Sequence, residues 1–247
     1  MTWIDLNADL GEGIGNDEAM LELVSSANIA CGGHAGDSIS MVVALRAARA
    51  NGVAVGAHPG FADPENFGRK RLILPPQELD DMVRRQVRDL AELAVEEGVP
   101  LRYVKLHGAL ANMAAEEPAI AAVCFAACEG LVRGLGILAI DNSAQVEVAE
   151  TMGFPVVREA YADRAYLPNG LLVPRSEEGA VIHDPGFIAE RAVRLAETGE
   201  IVAADGAIIH TEAKSLCIHG DNPEAVGIAR QVRYALEGAG IAVRPAF

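Results

Sequence analysis

Four histidines follow short apolar runs: His34 in NIACGGHAGD, His58 in VAVGAHPG, His107 in RYVKLHGALAN and His219 in SLCIHGD. Acids, amides and one lysine occupy the same kind of position. Asn7, Asp9 and Glu12 lie in DLNADLGEG, and Lys105 and Asn112 flank His107. Asp141 and Asn142 end GILAIDN, Glu159 sits in REAY ahead of Asp163 and Arg164, and Asp37 and Asp221 follow His34 and His219. A single histidine in such a place is most often a hydrogen-bonded loop residue. Four of them, at strand ends that also carry carboxylates, suggest metal ligands or acid–base groups gathered at one mouth. Burying them without such a task costs desolvation. Gly32, Gly33, Gly36, Gly108 and Gly220 adjoin these residues, as turns require or as close approach of backbone to a ligand would need.

Positioning these groups requires strands that end together. Apolar runs of strand length cover 3–10, 27–31, 53–58, 102–107, 136–140, 155–161 and 215–219. Their Val, Ile and Leu content suits strands buried on both faces. Helical patterns cover 38–52, 75–98, 116–132, 143–153, 184–199 and 222–240, several with Pro in the first turn and Gly past the end. This alternation predicts an α/β fold in which parallel strands are joined by right-handed crossovers. One domain over 1–247, a seven-stranded parallel (β/α) barrel, fits seven strands; an open doubly wound sheet is the alternative. In either, the site lies at the carboxyl ends of the strands. Residues 162–183 look irregular, an excursion or lid, and 201–210 reads as a short extra strand pair.

The 247 residues are about half hydrophobic, enough for a large core, and carry a formal net charge of −15. That charge disfavours nucleic acid and anionic membranes as partners, and any anion site must be locally basic. Arg69, Lys70 and Arg71 in GFADPENFGRKR form one basic loop, either a clamp for a carboxylate or phosphate or a solvated face. Cys124 and Cys128 suit a shared buried helix face better than a zinc site, and Cys31 and Cys217 suggest no disulfide. The start has no signal-peptide pattern and no run approaches membrane-span length, so the expectation is a cytoplasmic protein. GEGIG lacks the GxGxxG spacing and there is no phosphate-loop motif. His183 and His210 fall away from the strand ends and read as structural.

DLNADLGEG, NIACGGHAGD, GAHPGFADPENFGR, VKLHGALAN, EAYADRAY and CIHGDNPEAV occur in that order. Together they resemble the LamB/YcsF family across nearly the whole chain. Gly33, Leu106 and Ala111 stand where that family commonly has an aromatic, a proline and a tyrosine. The resemblance implies a seven-stranded barrel similar to the glycoside hydrolase/deacetylase superfamily. It also implies ATP-dependent hydrolysis of the lactam of 5-oxo-L-proline to L-glutamate, as the A subunit of a 5-oxoprolinase acting with subunits B and C. ATP would bind either this chain or, in the favoured reading, its partners. Under that reading Asp9, His34, His58, Lys105, His107 and His219 are the catalytic candidates. Asp9 or a neighbouring histidine would be the base for water, and Lys105 would stabilise developing anionic charge. Asn7, Glu12, Arg69, Asn112, Asp141, Glu159 and Asp221 are the substrate-binding candidates, Arg69 for the carboxylate. Asp9, His34, His58, His107 and His219 are the candidate ligands of a divalent metal. Two rival readings stay open: a stand-alone metal-dependent amide or carbohydrate deacetylase, and a non-catalytic lactam-binding subunit. Homo-oligomer formation is also open.

Overall fold

The computed structural model describes residues 2–218 and 224–247. The expectations placed on His219, Gly220 and Asp221 therefore lie outside the described residues. The chain runs β1 (Trp3–Leu10), α1 (Asp17–Leu21), β2 (Ser26–Ala30), α2 (Ser38–Asn51), β3 (Ala54–His58) and α3 (Pro76–Glu96). It continues through β4 (Leu101–Val104), α4 (Gly108–Glu116), α5 (Pro118–Ala126), β5 (Gly136–Ile140), α6 (Ala144–Thr151) and β6 (Val156–Tyr161). The last part holds α7 (Pro185–Thr198), β7 (Glu200–Val202), β8 (Ile208–His210), β9 (Ser215–Ile218), α8 (Ala225–Gly238) and β10 (Ala242–Val243).

Seven strands, in the order β1-β2-β3-β4-β5-β6-β9, pair in parallel, and β9 pairs back onto β1. The sheet is thus a closed barrel with helices outside it, and the open-sheet alternative is excluded. β10 adds beside β1, and β7 and β8 form the separate antiparallel pair expected from IVAADGAIIH.

The period-2 alternation of a strand sorts its side chains to two sides. In β1, Ile4, Leu6, Ala8 and Leu10 belong to the apolar core. Asp5, Asn7 and Asp9 bond inside the barrel with Ser26, Asn28 and Ser215. Both sets are buried, as expected, but the inner face is polar. Those inner residues define the floor of the site.

The helices follow their end signals. Asp37 caps α2: its Oδ1 accepts from Ser40 N at 2.8 Å, while Ser40 Oγ accepts from Asp37 N at 2.8 Å. Gly52, at φ 67°, stops α2 in the left-handed region. The helix expected over 116–132 is the shorter α5, which starts at Pro118, directly after α4, and ends at Ala126. Pro118 disfavours helical geometry at the residue before it, and Glu117 is extended at φ −123°, ψ 106°. Helices α1 and α4 and strand β10 lacked clear signals; two are very short, and α4 begins directly on the LHG of a strand end. Cys124 and Cys128 are both buried free thiols. Among the described residues no helix is long and apolar enough to cross a membrane.

The excursion 162–183 is irregular, with isolated antiparallel bridges Arg164–Val181 and Tyr166–Leu172. It lies over the carboxyl end of the barrel, where Leu172, Val173 and Arg175 join the walls of a cavity.

Candidate active site

The inner residues of the strands stack in layers. At the bottom, Asp5 accepts from Ser25 Oγ at 2.6 Å, Ser26 Oγ at 2.7 Å and Ser215 Oγ. Burial raises the Asp5 pKa, and these hydroxyl bonds only partly offset that. Above it, Asn7 Nδ2 donates to Glu159 Oε1 and Ser215 Oγ, both at 2.8 Å. Asn28 Nδ2 donates to Asn7 Oδ1 at 2.7 Å and Asp9 Oδ1 at 2.8 Å, while its own Oδ1 accepts from Tyr103 OH at 2.7 Å. That chain of bonds fixes the orientation of the Asn28 amide and, through it, of Asp9.

Lys105 is the centre of the floor. Its Nζ lies 3.1 Å from Asp9 Oδ1, 3.0 Å from Glu159 Oε1, 3.2 Å from Asn7 Oδ1 and 3.0 Å from Cys217 Sγ. Burial pulls its pKa down, but the two flanking carboxylates outweigh that and hold it well above the ordinary lysine value. Lys105 is therefore a fixed cation, suited to stabilising anionic charge rather than to taking a proton. Cys217 beside it stays a thiol, its pKa pushed well up by burial.

Three histidines sit above this floor. His34 and His107 stack with ring centroids 3.5 Å apart, and His58 meets His107 edge-on at 4.8 Å. His34 Nε2 lies 3.1 Å from Glu12 Oε1 and its Nδ1, against Gly60, has no hydrogen-bond partner among the described residues. Burial first, then the neighbouring His58, lowers the His34 pKa to about 3. Burial and both other histidines push His107 well below its ordinary value. Gly68 makes the packing feasible: at φ 62° it passes so close that a Cβ would sit 2.7 Å from His34 Cβ.

The hydrogen bonds assign the tautomers. His58 Nδ1 lies 2.8 Å from Lys105 O, and His107 Nε2 lies 3.0 Å from Phe67 O. A carbonyl only accepts, so those two nitrogens carry the protons. The nitrogens left over, His58 Nε2 and His107 Nδ1, then face each other 2.9 Å apart as two lone pairs. Such a pair repels unless a cation, either a proton or a metal ion, lies between or beside them. Glu12, His34, His58 and His107 each offer a ligand atom, all within 4.8 Å of one another. These nitrogen and carboxylate donors, with His58 and His107 each anchored to a backbone carbonyl through the other ring nitrogen, fit a divalent ion. In this set Glu12 takes the place expected of Asp9, whose Oδ1 is 3.4 Å from His58 Nε2 and is engaged by Lys105 and Asn28.

Over these groups opens a cavity of about 350 Å³. Asp9, His58, Lys105, His107, Glu159 and Asn112 line it, with Arg69 at its wall. Glu12 and His34 lie behind His107, and Asn7 lies beneath. Asp141 is not brought in. Its carboxylate accepts from Arg158 at 3.0 Å, Thr211 Oγ1 at 2.7 Å and Glu212 N at 2.8 Å, pinning residues 211–212 to the end of β5. The substrate contact expected of Asp141 is therefore corrected to a structural tie. Of the basic loop, Arg71 pairs with Glu116, and only Arg69 and Arg71 reach the cavity wall. His183 and His210 are exposed and do not line the cavity.

Sequence reasoning missed Asn28, Tyr103 and Gln86. Gln86 Nε2 donates to Gly60 O at 2.7 Å and its Oε1 accepts from Gly60 N at 3.1 Å, steadying the backbone beside His34. Its signal is a polar residue on the buried face of α3, between Val83 and Val87. A Cβ on Gly33 would come within 2.4 Å of the Gln86 amide, so the space beside Gly33 is already filled by Gln86.

Comparison with known proteins adds four findings. The sequence profile of the LamB/YcsF family matches residues 4–247. The 5-oxoprolinase A subunit of Azorhizobium caulinodans is 44% identical over 250 residues, covering 99% of this chain and 99% of that one. A lactam utilization protein from Thermus thermophilus superposes with a TM-score of 0.92 at 43% identity, covering 99% of this chain and 100% of the other. At 12% identity, a family 4 carbohydrate esterase from Streptomyces lividans superposes with a TM-score of 0.52 over 98% and 91% of the two chains, a likeness of fold alone.

Proposed function

The chain belongs to the LamB/YcsF family, and from that premise we propose that it is the lactam-hydrolysing A subunit of an ATP-dependent 5-oxoprolinase. It opens 5-oxo-L-proline to L-glutamate together with partner subunits B and C, which handle the ATP. The observation that carries this reading is Lys105, a buried ammonium fixed between Asp9 and Glu159 on the floor of the cavity. A lactam carbonyl is a poor electrophile because its nitrogen lone pair is delocalised into it. Lys105 stabilises the negative charge that develops on its oxygen as water adds. Asp9, 3.1 Å from the Lys105 ammonium, takes the proton from that water. The C–N bond then breaks, and the nitrogen leaves as an amine with the proton that Asp9 took from the water. Asn28 and Tyr103 position Asp9, and Glu159 positions Lys105. Glu12, His34, His58 and His107 would hold a divalent ion, which when bound supplies Lewis acidity beside the carbonyl.

The same cluster supports a second reading, a metal-dependent amide or carbohydrate deacetylase that needs neither ATP nor partners. One assay separates the two: glutamate release from 5-oxoproline, with and without ATP, by this chain alone and with subunits B and C. ATP-coupled release only in the assembly supports the lactam reading. Unchanged turnover on replacing Lys105 or His107 overturns the assignment of roles.

A further inference from the structure

The cavity holds a second buried cation, Arg164, which the floor chemistry does not use. It stands three residues past β6, at the start of the excursion, and only 3% of it is exposed. Its Nε donates to Ala180 O at 3.1 Å and its Nη2 to Val173 O at 2.6 Å. Both acceptors are backbone carbonyls of the excursion itself, and among the described residues Arg164 forms no ion pair. Lys105, the other buried cation in the cavity, has two carboxylates. Burial lowers the Arg164 pKa, and nearby Arg175 lowers it further. Buried charges are ordinarily paired, because an uncompensated one forfeits its hydration. Arg69, Arg71 and Arg175 also line this cavity, so four guanidiniums gather there in a chain of net charge −15, and of these Arg71 is paired with Glu116. The two carbonyl bonds hold the Nε and Nη2 edge of the fork, and Nη1 has no protein acceptor among the described residues.

We propose that Arg164 is the anchor for the carboxylate of the substrate, flanked by Arg175 and Arg69, and that the excursion therefore sets specificity for a lactam bearing an adjacent acid. This rests on the lactam reading and moves the principal carboxylate contact from Arg69 to Arg164. The ligand supplies the missing counter-charge at the excursion while its ring carbonyl faces Lys105. A neutral lactam satisfies only the second contact.

Calorimetric titration of the full chain tests this with four probes: 5-oxo-L-proline, its neutral methyl ester, 2-pyrrolidinone and inorganic phosphate. The wild-type chain is expected to prefer the acid over the ester and over 2-pyrrolidinone by at least ~10-fold. Arg164→Gln is expected to weaken the acid by ~10- to 100-fold and leave 2-pyrrolidinone unchanged. Arg164→Lys, which keeps the charge but not the fork, should fall between. Equal affinity of wild type and Arg164→Gln for the acid overturns the proposal and leaves the lactam reading intact. Loss of phosphate binding in Arg164→Gln with the acid unaffected assigns the subsite to phosphate and also overturns it. Failure of wild type to bind either lactam overturns the lactam reading and the proposal together. The acid-to-ester ratio needs no variant, so a ratio near one overturns the proposal even where Arg164→Gln misfolds.

Discussion

Replacing Lys105 by Met keeps the stem and removes the ammonium that joins two buried carboxylates. Asp9 Oδ1 and Glu159 Oε1 are 3.1 and 3.0 Å from Nζ, so they can be at most about 6 Å apart. At an effective dielectric of ~20, two full charges at that distance repel by about 3 kcal/mol, and both also lose their counter-ion. One carboxyl escapes by taking a proton. At pH 7, protonating a group with an unfolded pKa of ~4.3 costs about 4 kcal/mol, which caps the repulsion. Lys105→Met is therefore expected to lose about 3–5 kcal/mol at pH 7. For a chain of this size that corresponds to roughly 6–20 °C in Tm. The sign with pH follows: a carboxyl whose folded pKa is raised costs stability above its unfolded pKa and nothing below it. The deficit should shrink by about 1.4 kcal/mol for each pH unit lowered, to about 2 kcal/mol near pH 5.5. Denaturant unfolding of both proteins at pH 7.0 and 5.5 measures it. A deficit under 1 kcal/mol at pH 7, or one indifferent to pH, refutes the account of Lys105 as the clamp of two ionised acids. Adding Glu159→Gln to Lys105→Met should recover part of the loss, because only one acid then remains.

Three further outcomes follow from the same geometry. His34 has a folded pKa of about 3, so stability should fall as pH drops from its unfolded value near 6.5 towards 3, by about 2 kcal/mol at pH 5 from His34 alone. His107 acts in the same direction. Melting curves in chelator, compared with His34→Gln, check this; identical pH slopes in the two proteins contradict it. Gly56→Ala would put a Cβ 2.1 Å from the buried Tyr103 ring, which Asn28 also holds, and should cost about 3 kcal/mol by chemical denaturation. A near-neutral Gly56→Ala argues against the packing described for the barrel interior. Micromolar zinc should raise the Tm of wild type and be reversed by chelator, while His58→Ala with His107→Ala should show no rise; an equal rise in both proteins would place the ion elsewhere.

The barrel was legible because β/α alternation, Pro-first helices and Gly stops each depend on local chemistry. Asn51-Gly52 ends α2 where its residue types require, and WIDLNADL carries a clean period of two. The same alternation contained more than hydropathy revealed. Asp5, Asn7 and Asp9 share a side, and in a barrel the side that cannot reach the helices must face the interior, so three polar residues at that spacing imply a polar lumen. Asn28 within ANIAC and Tyr103 within RYV follow the same rule and were masked by their apolar neighbours. The start of α5 was legible too, since Pro118 stands in its first turn. Partnership between distant residues is a different matter. Little in the local sequence separates Asp141, just past β5 and tied to Arg158, from Glu159, within β6 and bonded to Lys105. Their roles diverge through side-chain direction: Glu159 points into the lumen, while Asp141 meets an arginine whose neighbours lie outside it. Arg164 is the sharpest case. Its residue type was visible in ADRAY, but the property that singles it out is a buried guanidinium that forms no ion pair among the described residues. A missing partner is a fact about three-dimensional neighbours and cannot be read from a residue or its spacing.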